Sequence, residues 1–307
     1  MEIKSKNYIK FSISFILILL TTSFVLNRLD FNITDNDLIK KFQFQKISAE
    51  KFKKIDTIIV GDSSGGNSID SKYLSEISNL NVSSLSLTGS WGIVGSLGMI
   101  KKALESNPKI KNIIVVQTID IWSRGFSKQS VLELYSTKEI TELLSLKDLI
   151  SYAFNIKELW WHLRYIANKD FAVRKEIDYN HDYLKQKTKK FSNNRLKVDA
   201  TKTFNSVAIS KQKLEELILL DKFCSKKKLN CIFLNGPIHS SVAKNSKAFF
   251  TSLNTKIKDN LYHIKYFSKI FSYENYKMGD TIDHIDVNYK KESTQNYYKL
   301  IKDDLVY

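Results

Sequence analysis

The sequence predicts an α/β sandwich around a parallel sheet. Short apolar runs alternate with segments of helix-like spacing, the pattern of that class. The run Ile113-Ile114-Val115-Val116 shows no polar alternation, as expected of a strand covered on both faces. The first and fourth runs end at a glycine turn, Gly61 and Asn235-Gly236-Pro237.

Element by element, Ile55–Val60 reads as the first strand and Ile69–Leu80 as the helix after its turn. Val82–Leu87 alternates and reads as a second strand ending at Thr88-Gly89-Ser90. Gly92, Gly95 and Gly98 put a small-residue stripe on one helix face, expected to pack closely on the sheet. Met99–Leu104 continues that helix until Asn107-Pro108 stops it. Ile110–Thr118 is the third strand. From Ser130 to about Ser206 the alternation breaks into aromatic-rich helical patterns, Leu144–Phe154 and then Leu159 to Tyr165, followed by lysine-rich polar sequence. This block is too long for a crossover and reads as an inserted cap. Ser210–Lys226 is amphipathic, with Leu214, Leu217, Ile218 and Leu220 on its apolar face. Asn230–Leu234 is a buried strand, Ala243–Asn260 a helix, Ile264–Phe271 a strand and Glu292–Asp304 a closing helix.

The chain has 307 residues, 43% of them apolar, enough for a full core. Its formal charge is +16. Two readings of that charge stand: a lysine-rich composition used throughout, or attraction to an anionic surface such as lipid headgroups or an acidic polymer. The lysines are scattered, with no zinc-ligand spacing and no RNA-binding signature, so no nucleic-acid partner is expected. No cofactor or metal is expected either. Cys224 and Cys231 fit no Cys-x-x-Cys site and no disulfide framework. They are expected to be buried free thiols, with pairing open in an oxidising compartment.

Lys4, Lys6 and Lys10 precede an uncharged apolar stretch from Phe11 to Leu26. As a helix it spans roughly 24 Å, slightly short of a hydrocarbon core of about 30 Å. Snorkelling by Lys10 and Arg28 makes up the difference. There is no small-residue cleavage site, so residues 1–29 read as an uncleaved signal anchor with its lysine-rich tip in the cytoplasm. Residues 30–54 then read as a stalk, and residues 55–307 as a domain in the cell envelope, outside the membrane, with its insertion at about 130–206.

Two segments carry chemistry. Gly61-Asp62-Ser63-Ser64 ends the first strand in a turn that can lift a serine hydroxyl to the mouth of a sheet. Backbone N–H groups at the following helix start can stabilise an oxyanion. Near the other end, Gly279-Asp280-Thr281-Ile282-Asp283-His284 supplies a base and its orienter. Serine needs both to become a nucleophile at neutral pH. Ser63 is the candidate nucleophile, with Ser64 as alternative, and His284 the base. Asp280 can fold back over a turn to the imidazole, and Asp283 is the alternative acid. Asp62 is expected to fix the turn. Gly61-Asp62-Ser63-Ser64-Gly65 also fits the α/β-hydrolase pattern, but that elbow follows several strands and draws its acid and histidine from separate loops. A chymotrypsin-like reading needs an upstream histidine, and none of the five precedes Ser63. His239 lies at a strand's carboxyl end, where open α/β sheets bind ligands. His162 is expected to pack among aromatics. Trp160 and Trp161 suit either sugar stacking or packing.

Gly61-Asp62-Ser63 after the first strand, Gly89 after the second and a carboxy-terminal Asp/His loop resemble the SGNH (GDSL) hydrolase superfamily, from about Ile55 to Leu300. The resemblance implies a flavodoxin-like three-layer α/β/α fold. It implies Ser63 as nucleophile, His284 as base, Asp280 as its orienter, and the N–H groups of Ser63 and Gly89 in the oxyanion hole. In the family's third block an asparagine donates to the oxyanion. Here the aligned stretch is Gln117-Thr118-Ile119-Asp120, and Ile119 cannot donate. Gln117, Thr118 or Asn67 are the replacements to consider. In the family's Asp-x-x-His block the Asp position is held by Thr281. With its anchor, the chain is similar to the membrane-bound branch that acts in polysaccharide O-acetylation and teichoic-acid D-alanine transfer. That similarity implies a serine esterase or O-acyltransferase acting on acyl esters of cell-surface polysaccharide beside a multi-spanning membrane acyltransferase. A non-catalytic partner of such a complex is the alternative.

Overall fold

The computed structural model describes residues 2–28, 34–153, 176–204 and 209–307. It divides into two compact units, Met1–Asp37 with Ser136–Arg174, and Leu38–Tyr135 with Lys175–Tyr307.

The larger unit is built on five parallel strands: β1 (Thr57–Gly61), β2 (Val82–Ser84), β3 (Asn112–Gln117), β4 (Asn230–Asn235) and β5 (Lys265–Phe267). Their order across the sheet is 2-1-3-4-5. The chain therefore reverses direction of growth between β1 and β3, the switch point where open α/β sheets form a crevice beyond the strand carboxyl ends. One face of the sheet carries Ile59, Ile114, Val116, Ile232 and Leu234 in a cluster with Leu74, Tyr297 and Ile301. The opposite-pointing residues Ile58, Val60, Ile113, Val115 and Phe233 are equally buried, so both faces are covered. Each such side chain contributes about 1.5–3 kcal/mol of burial.

The helices follow from local signals. α3 (Ser63–Ser68) starts under the Asp62 cap, and α4 (Ser71–Ser78) under an Asp70 cap. α4 ends at Asn79 in the left-handed region, φ 57°. α5 (Gly92–Ser106) stops at Asn107, as Pro108 requires. Its glycines do not lie on the sheet as expected. Gly95 faces Ser130 and Gly98 faces Leu134 and Tyr135, so the stripe receives α6 (Lys128–Leu134). The sheet is contacted instead by the apolar side of α5.

The segment read as a stalk contains α2 (Asp35–Ser48), whose Ile39, Gln43 and Ile47 recur every fourth residue and are buried. Gln43 donates to the Ser86 carbonyl. Sparse apolar residues hid this packed face. In the smaller unit, α1 (Glu2–Arg28) is a helix of 27 residues that packs with α8 (Leu146–Ala153). α7 (Thr137–Leu143) begins with a Ser136/Glu139 capping box. Phe11, Ile13, Phe15 and Ile16 of α1 are each more than half exposed. The side chains of residues 19–20 and 23–28 lie outside the described residues. Among the described residues, no helix is long and apolar enough to cross a membrane.

The described residues of the block read as an insertion are only partly helical. A two-residue antiparallel pair, Ile177–Asp178 with Tyr183–Leu184, precedes α9 (Lys189–Asp199). Trp160, Trp161 and His162 lie outside the described residues. α10 (Lys211–Lys227) is followed by Lys228 at φ 53°, which turns the chain back into β4. That reversal brings Cys224 beside Cys231, and they form a disulfide rather than free thiols. α11 (Ser240–Asn245), α12 (Lys247–Lys258) and α13 (Lys290–Ile301) complete the unit.

Candidate active site

The turn after β1 is set by one glycine. Gly61 has φ +142°, and a Cβ there would lie 1.8 Å from the Val116 carbonyl oxygen. β1 therefore runs against β3 to its last residue and turns sharply into α3. Asp62 is buried and caps that helix. Its Oδ1 accepts from the Ser64 N–H at 2.9 Å and the Ser64 hydroxyl at 2.6 Å, and its Oδ2 accepts from the Thr118 N–H at 2.9 Å. Burial pushes the Asp62 carboxyl up to about 6, against the pull of the Ser64 and Thr118 bonds. Ser64 is fully buried and committed to Asp62. Ser63, the first residue of α3, is half-buried and lines a cavity of about 180 Å³.

His284 lines the same cavity. Its loop is closed by an antiparallel bridge between Met278 and Ile285, and the Gly279 N–H donates to the His284 carbonyl at 2.7 Å. Within the loop, His284 Nδ1 lies 2.6 Å from Asp280 Oδ1, both side chains being buried. Asp280 Oδ2 accepts from the Lys187 N–H at 3.2 Å. Gln186 donates to the Asn67 side chain at 3.2 Å and to the Ile285 carbonyl at 2.5 Å. The inserted block thus supports the Asp/His loop, a role that nothing in the sequence of Gln186-Lys187 advertises.

Asp283 occupies the other side of the imidazole, with Oδ1 3.9 Å from Nε2. It accepts from the Thr118 hydroxyl at 2.7 Å and the Thr281 hydroxyl at 2.5 Å. Burial alone would raise its carboxyl, but His284, these two hydroxyls and Arg124 together hold it below the usual range. Thr118 therefore ties the two halves of the site, its N–H to Asp62 and its hydroxyl to Asp283.

The candidate oxyanion donors are distributed unevenly. Gly89 starts a short 3-10 helix after β2, and its Cα is covered by the Arg124 guanidinium. Gln117 donates to Ser96 at 2.8 Å and Asn67 to the Ser63 carbonyl at 2.7 Å, while Ile119 is buried. With Thr118 on Asp283, all three side-chain replacements considered from sequence are engaged elsewhere. Arg124, which sequence reading missed, reaches the cavity from the turn after β3. Arg195 and Phe204 of the inserted block form another wall. His239 caps α11 through Nδ1, which accepts from the Ser241 N–H at 3.2 Å. Burial holds its pKa below the ordinary value, although Glu274 and Asn275 pull the other way.

A serine at a helix start, an imidazole and a buried carboxylate beside it can support acyl transfer. No protein-family model matches this chain, and no curated protein matches it.

Proposed function

We propose that this chain is a serine acyl hydrolase or O-acyltransferase of SGNH type, with a flavodoxin-like three-layer fold, acting on acyl esters of cell-surface glycan. The observation that carries the reading is the buried 2.6 Å contact between His284 Nδ1 and Asp280, in a loop that shares a cavity with Ser63. Asp280 fixes the tautomer with the proton on Nδ1, which leaves Nε2 to act as base. Ser63 Oγ attacks the acyl carbonyl while its proton passes to Nε2. The Ser63 and Gly89 N–H groups receive the oxyanion. His284 then returns the proton to the leaving alkoxide, and the acyl-serine passes to water or to a glycan hydroxyl.

Two further observations support an extracytoplasmic site on a membrane anchor. α1 exposes Phe11, Ile13, Phe15 and Ile16 beyond a lysine-bearing start, and disulfides such as Cys224–Cys231 persist in oxidising compartments. The cytoplasmic tip, the single pass and the multi-spanning acyltransferase partner belong to the same proposal.

The test is turnover of an activated acetyl ester. Ser63→Ala and His284→Ala each abolish it, and a fluorophosphonate labels Ser63 in the unmodified protein. Full activity in Ser63→Ala would overturn the reading. The engagement of Gln117, Thr118 and Asn67 elsewhere favours a second reading, a non-catalytic partner of a membrane acyltransferase. It predicts no labelling, and a deletion phenotype that Ser63→Ala does not reproduce.

A further inference from the structure

We propose that Arg124 is a further catalytic residue, its Nη1 donating to the oxyanion of the tetrahedral intermediate at Ser63. This rests on the acyl-transfer reading above and names the donor that reading lacks.

Position comes first. Arg124 lines the cavity that Ser63 and His284 line. A Cβ on Gly89 would sit 2.5 Å from Arg124 Nη1. The guanidinium therefore lies against the residue whose N–H the reading places in the oxyanion hole, and only glycine leaves it room. Any side chain at 89 would push the guanidinium aside.

Orientation comes second. Arg124 Nη2 donates to both oxygens of Asp120, each at 2.8 Å. Those contacts hold the planar group at Nη2, and among the described residues Nη1 and Nε make no hydrogen bond. A guanidinium carries five donors, so two on Nη1 and one on Nε stay open. A guanidinium tied to Asp120 at Nη2 keeps its remaining N–H groups in the cavity, where an oxyanion donor is needed.

Charge comes third. The oxyanion would form near the buried carboxylates Asp62 and Asp283, which by themselves oppose it. Both lie close enough to Arg124 to stabilise its positive charge, as does Asp120, and together they outweigh the opposing effect of burial. Arg124 is thus a cation on which both carboxylates act, and it offsets their repulsion where negative charge develops.

The experiment uses the full chain in detergent and an activated acetyl ester. Arg124→Ala is expected to lower kcat by about 10²–10³ with KM nearly unchanged, because the bond is made only in the transition state. Added guanidinium ion is expected to restore part of the rate. The Arg124–Asp120 pair is half exposed, so the melting temperature is expected to hold. If Arg124→Ala does not fold, Arg124→Met keeps the packed stem and the same outcomes apply. Wild-type kcat in a folded Arg124 variant, or an effect confined to KM, overturns the inference while an inactive Ser63→Ala leaves the acyl-transfer reading standing. Full activity in Ser63→Ala, or no turnover and no fluorophosphonate labelling in the unmodified protein, overturns both.

Discussion

In the turn after β1, shape is set by Gly61 and Asp62 against the end of β3. Gly61 supplies the dihedral angle and Asp62 ties down Ser64 and the start of α3. In the loop from Met278 to Ile285, shape depends on residues far along the chain. Gln186 reaches the Ile285 carbonyl across 99 positions and Lys187 reaches Asp280 across 93. The Ser63 half of the site is thus part of the sheet's own architecture. The His284 half is a largely buried loop that borrows support from the insertion. This difference predicts that damage to the turn appears as lost folding, and damage to the loop as lost catalysis in a folded protein.

The largest effect belongs to Gly61→Ala. Its Cβ would meet the Val116 carbonyl oxygen at 1.8 Å, a backbone atom that cannot swing aside, at a φ that L-residues rarely adopt. We expect a loss of about 4 kcal/mol or more in denaturant unfolding. A variant that unfolds at the wild-type midpoint would remove the claim that the turn is a folding element. Next comes Asp280→Asn, which keeps the side-chain shape but not the charge. We expect kcat on the activated ester to fall by about 10³–10⁴ while unfolding shifts by no more than about 1 kcal/mol. Loss of folding in this variant would erase the contrast with the turn.

How much of this was legible follows the same division. The strands were readable because Ile113 to Val116 and Ile232 to Leu234 are continuous apolar runs. Ser63, Asp280 and His284 stood out as candidates because each sits in a short local motif. Arg124 and Gln186 were not, since each works across the fold and neither stands in a patterned segment. Nor was the packed helix of residues 35–48 evident, because one of its buried positions is the polar Gln43. The disulfide depended on a left-handed Lys228, a conformation that sequence seldom signals for lysine. Long-range support is invisible to any reading confined to neighbours in the chain.

The third effect concerns pH and belongs to the turn. The Asp62 carboxyl titrates near 6 in the folded protein, against about 3.9 when unfolded. Between those values the folded state binds the extra proton, so Asp62's contribution to stability is fullest below about pH 4. It falls as pH rises to about 6 and stays low above it. Against wild type, Asp62→Asn should therefore gain relative stability on the order of 3 kcal/mol between pH 4 and 7. Its absolute stability is held down above about pH 6, where the ionised carboxylate accepts from Ser64 on one oxygen and from Thr118 on the other and an amide offers only one acceptor oxygen. Parallel pH profiles for the two proteins would show that Asp62 does not titrate in this range.

The smallest effect belongs to Gln186→Ala, and it separates support from chemistry. Gln186 touches neither Ser63 nor the His284 ring in its hydrogen bonds; it holds the Ile285 carbonyl and the Asn67 side chain. Removing it leaves two acceptors to find water, at a cost of about 1 kcal/mol each. Because Ile285 follows His284 and Gly279 packs against the Gln186 amide, the loop loosens before the sheet does. We expect kcat to fall several-fold with KM unchanged, and faster amide exchange confined to the segment from Met278 to Ile285. Slower exchange there, or loosening that spreads into β1, would mean that the loop is held by the sheet and that the two halves share one support.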